Sequence, residues 1–76
     1  MKTTKRQLAN FAIRIIKEIA KSPKHIGIDY STRQCVNVWF YEDKEVNILK
    51  HFSLYGFISI RENIKVFRQI LKEIRR

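Results

Sequence analysis

Five basic residues, Arg61, Lys65, Arg68, Lys72 and Arg75, stand at offsets of 0, 4, 7, 11 and 14 along the chain. At about 100° per residue, these offsets keep to one face of a helix. Glu62 and Glu73 fall off that stripe, and Ile60, Ile64, Phe67, Ile70, Leu71 and Ile74 fill the opposite arc. A helix face that is merely solvated usually mixes signs through i,i+4 pairs, and this one does not. The chemistry open to such a rail is contact with a polyanion, each cation displacing a condensed counterion from a phosphate. Arg61, Lys65 and Arg68 lie nearest the helix start and are the candidates for base contact. Lys72, Arg75 and Arg76 are candidates for phosphate contact.

A second rail precedes it. Arg6, Asn10, Arg14, Lys17 and Lys21 share the polar side of an earlier amphipathic stretch, and Arg14, Lys17 and Lys21 are its strongest members. Ile13 and Ala20 widen the apolar arc of that stretch beyond one packed face. Ile13, with Trp39 and Tyr41, is therefore a candidate for an interface with a second protein surface.

Catalytic readings fail on inventory. His25 and His51 are isolated, Cys35 is the single cysteine, and no CxxC, HxxxH or Gly-rich phosphate loop occurs. Asp29, Glu42, Asp43 and Glu45 do not make a carboxylate pair on a rigid frame. No metal, cofactor or enzymatic activity is expected.

With 76 residues, the chain is expected to form a single domain over residues 1–76. Such a chain buries only about 60–65% of its unfolded surface, so its core is marginal. One cysteine excludes an intrachain disulfide and suits a reducing cytosol. Oligomerisation is the remaining support, and a homodimer is expected. No apolar run approaches the roughly 18–20 residues that cross a bilayer, and no signal segment is visible, so a cytoplasmic location is expected.

The net charge of +9 is segregated. Residues 1–25 carry +6 and residues 51–76 carry +4, with −1 between them. Such polarity points to a charged partner rather than to solubility alone.

The elements that must position the rails are legible in part. Thr4 to Lys21 reads as a helix, with Thr4 and Gln7 as a capping box and Pro23 beyond its end. Its expected buried face is Leu8, Phe11, Ala12, Ile15, Ile16 and Ile19. From His25 to Tyr41, the alternations Ile26, Ile28, Tyr30 and Val36, Val38, Phe40 predict a β-hairpin joined by residues 31–34. The register pairing Ile28 with Val38 puts both apolar sets on one face, with Cys35, Asn37, Trp39 and Tyr41 on the other. Glu42-Asp43 can cap a short helix over about Lys44 to Leu54, with Ile48, Leu49, Phe52 and Tyr55 inward and Gly56 at its end. Phe57-Ile58 reads as a short third strand or a buried connection. Ser59 with Glu62 opens the final helix, which runs through Arg75. The helix, Gly56 and Ser-capped helix order loosely resembles a helix-turn-helix, though the Ser59 to Ile64 spacing departs from that pattern.

These readings predict an α+β domain in the order α-β-β-α-(β)-α, a small sheet or hairpin packed by amphipathic helices. The expected function is nucleic-acid binding, DNA ahead of RNA, through docking of the final helix on the phosphate backbone. The runner-up is a phage or mobile-element interaction module, an inhibitor or adaptor that binds an acidic protein surface. Adsorption to a membrane is not expected.

Overall fold

The computed structural model describes residues 2–31, 34–42 and 47–76. It contains helix α1 (Lys5–Ala20), strands β1 (Ile26–Ser31), β2 (Cys35–Tyr41) and β3 (Ile48–Tyr55), and helix α2 (Ile60–Arg75). The strands form one antiparallel sheet in the order β1-β2-β3. The α+β class holds, but the order is α-β-β-β-α.

The expected hairpin register is the observed one, with Ile28 opposite Val38. Val36, Val38 and Phe40 are buried, while Cys35, Asn37, Trp39 and Tyr41 between them are half-buried on the other face. Period-two alternation explains this, because a slip of one residue would send the valines outward. The connection closes through Gln34, whose φ of 65° lies in the left-handed region. Its N–H donates to the Ser31 carbonyl at 3.0 Å. Thr32 and Arg33 lie outside the described residues.

The helix expected over residues 44–54 is corrected: residues 48–55 are strand β3, and residues 43–46 lie outside the described residues. The strand buries its apolar side chains by pairing with β2, placing Phe52 beside Val38 and Leu54 beside Val36 on the core face. A break in register between Phe40 and Tyr41 leaves Leu49 as an extra residue, since Phe40 faces Lys50 and Tyr41 faces Ile48. The helix-turn-helix likeness falls with that helix. Gly56 ends a strand, not a helix. Its N–H donates to the Gln34 carbonyl at 2.8 Å, and a Cβ there would collide with the Gln34 side chain. Phe57-Ile58 is a turn, not a third strand.

Both helices lie on one face of the sheet, α1 over β1 and β2 and α2 over β3. Leu8, Ala12 and Ile15 of α1 and Phe67, Ile70, Leu71 and Ile74 of α2 join the inward residues of the sheet in one core. The helices run side by side in the same direction. Asn63 near the start of α2 bonds Thr3 just before α1. Phe11 and Phe67 meet midway with ring centroids 4.9 Å apart. Glu18 and Arg75 pair at the far ends.

Local chemistry fixes both helix starts. Thr4 and Gln7 form the expected reciprocal capping box. Ser59 Oγ accepts from the Glu62 N–H at 3.2 Å. One buried polar side chain ties three segments together. Asn63 Oδ1 accepts from the Tyr55 N–H, and its Nδ2 donates to the Tyr55 carbonyl and to Thr3 Oγ1. Thr3 in turn donates twice to the Ile58 carbonyl.

Three residues expected to face inward are corrected: Ile16 of α1 and Ile48 and Leu49 of β3 are exposed. Ile16 is 49% exposed, as is Ile13. Both fall, with Ala20, on the flank of α1 that points away from α2, where no further element among the described residues covers them.

Candidate nucleic-acid interface

The helix phases decide where the cations go. On α1, Leu8, Ala12 and Ile15 point into the core, while Phe11, Arg14 and Glu18 turn toward α2. Arg6, Asn10, Lys17 and Lys21 therefore point away from the sheet, and all four are exposed. On α2, the buried arc of Asn63, Phe67, Ile70, Leu71 and Ile74 leaves Arg61, Lys65, Arg68, Lys72 and Arg75 exposed on the outer side. Because the helices are neighbours on one sheet face, the two rails belong to a single outer surface. The sequence alone could not place them together.

The members of this surface differ in how they are held. Among the described residues, no carboxylate pairs with Arg61, Lys65, Arg68 or Lys72. Arg75 is different, because its guanidinium binds the Glu18 carboxylate across the two helix ends. That hydrogen bond, with the charge of Arg75, holds the Glu18 carboxyl below the usual glutamate range. Arg14 lies with its guanidinium 5.3 Å from the centroid of the Phe67 ring, so its charge is fixed over the seam between the helices. Glu73 is off the stripe as expected. Its carboxyl is lowered by hydrogen bonds from Lys50 and then Arg76.

Some cations escaped the helical pattern. Lys24, from the loop after α1, donates to the Glu73 carbonyl at 2.7 Å, and Lys50, from β3, reaches the Glu73 carboxylate at 2.7 Å. No periodicity marks Lys24, and Lys50 was hidden by the helical reading of its segment. With Lys21, Lys72, Arg75 and Arg76, they gather cations at the end of the molecule where both helices finish.

The candidate interface residues are not brought together. Ile13 lies on the free flank of α1, whereas Trp39 and Tyr41 point from the opposite face of the sheet. Among the described residues no helix lies over that second face. There Trp39 stacks on His51, with centroids 5.2 Å apart and planes within 12°. Asn37 Oδ1 accepts from Ser53 Oγ at 2.7 Å and lies 3.1 Å from His51 Nε2. Tyr41 leans over Gly27, where a Cβ would press on its ring at 3.2 Å. Among the described residues, no three metal-ligating side chains converge and no helix is long and apolar enough to cross a membrane.

The chain matches no family model, no curated protein and no solved structure.

Proposed function

We propose that the chain binds nucleic acid through the outer surface of its two helices, which grips phosphates from two parallel rails. The observation that carries this reading is the convergence of Arg14, Lys17 and Lys21 with Arg61, Lys65, Arg68, Lys72 and Arg75 on one outer surface, all but Arg75 without a carboxylate partner among the described residues. Rails on neighbouring helices sit about 8–10 Å apart, and the Arg61 to Arg75 rail spans about 21 Å of helix. That geometry suits a strip of backbone phosphates.

The helix pair also limits the mode of docking. Two helices side by side are about 20 Å wide, against about 12 Å for the B-form major groove. Both helices pack on the same sheet face and against each other, so on this reading α2 does not enter a groove alone. The proposal is therefore docking across the backbone, weighted toward shape and charge rather than base reading.

The test is a binding titration with duplex DNA, single-stranded DNA and structured RNA across a salt series. The reading expects duplex binding whose logarithmic salt slope corresponds to several phosphates, near −0.9 for each on DNA. Flat salt dependence on every polymer would remove it and favour an acidic protein partner.

The exposed Ile13 and Ile16 favour a second element of the proposal, a homodimer through the free flank of α1. A second copy docked there would extend the basic surface without covering it. Sedimentation equilibrium at micromolar concentration should give twice the chain mass, and Ile13→Glu should return it to one. A wild-type chain that stays monomeric rules the dimer out.

A further inference from the structure

At the end of the molecule where the helices finish, a cleft of ≈ 360 Å³ opens between the close of α2 and the sheet. Three segments far apart in sequence bring cations to its rim: Lys24 before β1, Lys50 of β3 and Arg76 after α2. Its apolar lining comes from Phe40 and Leu49, and Tyr41 borders it at the end of β2 while its ring lies on the other face beside Gly27. The register break in β3 is what puts Leu49 and Lys50, consecutive on a strand, on the same cleft. Leu49 is 63% exposed there. Glu73 supplies the only carboxylate among the described lining residues. It holds Lys50 and Arg76 in place, with its carboxyl lowered by both. Three cations against one carboxylate leave the rim positive.

From this arrangement we propose that the cleft is a binding site for a single nucleoside monophosphate, its base on Phe40 and Leu49 and its phosphate on Lys24, Lys50 and Arg76. The volume fits one small ligand, since such sites begin at about 300 Å³ and pair an apolar lining with a few polar groups. A flat ring gains from the apolar floor, chiefly the exposed Leu49 beside Phe40, and a phosphate gains from charge-assisted bonds to Lys and Arg. A bare anion uses only the rim, and an uncharged ring uses only the floor. The site is independent of polymer binding, because the cleft opens at the end of the helices and not on their outer surface.

The test is an amide chemical-shift titration of the labelled protein with adenosine monophosphate, inorganic phosphate, adenosine and dodecanoate. The same spectra report whether each variant is folded. Adenosine monophosphate should bind saturably and more tightly than the other three, shifting residues around Phe40, Leu49 and Lys50. Replacing Lys50 and Arg76 together by Ala should weaken it by about tenfold or more. Glu73→Gln, which removes the competing carboxylate, should tighten it. Arg61→Ala with Lys65→Ala, at the far end of α2, should leave it unchanged and so separate this site from the rails. The proposal is overturned if neither the wild type nor Glu73→Gln binds saturably, or if dodecanoate binds more tightly. Equal weakening by the Arg61/Lys65 pair also overturns it.

Discussion

The two broad surfaces of this molecule are built over the same three strands and share no chemistry. The helical side presents two rails of cations. The open side of the sheet presents Gly27, Asp29 and Ser31 of β1, Cys35, Asn37, Trp39 and Tyr41 of β2, and His51, Ser53 and Tyr55 of β3, with no Lys or Arg among them. Strand alternation separates the two, because each residue step moves a side chain from one face to the other. The cations of the two helices therefore act as a directed field from one side, not as a uniform coat. Binding to a polyanion should depend on the helical side and be indifferent to the open sheet.

The sharpest way to break this comparison is to release the helices from the sheet. Asn63→Ala leaves the Tyr55 N–H and carbonyl without their buried partner and frees Thr3. Each stranded group costs about 1–3 kcal/mol, so the loss should be about 2–4 kcal/mol in urea unfolding. Loss of helix–sheet anchoring should also weaken polyanion binding. A change of only a few tenths of a kcal/mol contradicts the role given to Asn63.

A smaller effect is expected on the other side. Trp39→Ala removes the stack on His51 and should cost about 1–2 kcal/mol. Affinity for duplex should stay as in the wild type. If Trp39→Ala abolishes binding while the protein stays folded, the open sheet is the interface and the comparison is reversed.

Acid should act most gently, and on the helical side. In the fold, the Glu18 carboxyl is lowered first by the Arg75 hydrogen bond, and the Glu73 carboxyl first by that from Lys50. Stability from a lowered carboxyl is fully present above its ordinary value of 4.5 and fades as the pH falls through the lowered folded value. The urea midpoint should hold steady from neutrality to about pH 5 and decline below about pH 4. Glu18→Gln with Glu73→Gln should flatten that decline. An unaltered decline means that these pairs do not carry it.

Some of this was legible in the chain and some was not, for physical reasons. The hairpin register followed from six apolar residues alternating in two runs, which a slip of one residue would split between faces, and from the short connection at residues 31–34. The helix starts followed from Thr4 with Gln7 and from Ser59, whose caps are local. Strand β3 was misread because Ile48, Leu49, Phe52 and Tyr55 fall at helical spacing. The true alternation, Phe52 and Leu54 inward, is interrupted by the extra residue Leu49 and by Lys50, which reaches over to Glu73. Pairing with β2 overrode the local signal. The rails themselves were visible. Their shared surface was not, because the relative placement of two helices is tertiary. Lys24 and Lys50 have no spacing that joins them to Arg76, and only the fold collects them.

The most direct measurement is the salt slope of duplex binding for the wild type against a variant with Arg61, Lys65, Arg68 and Lys72 all replaced by Ala. These residues are exposed and unpaired among the described residues, so circular dichroism and the unfolding midpoint should scarcely change. If the rail grips phosphates, the variant should lose most of its affinity and its slope should shrink by about 0.9 for each lost contact. A folded variant with unchanged affinity and unchanged slope would contradict the account, leaving the rail a solvated face.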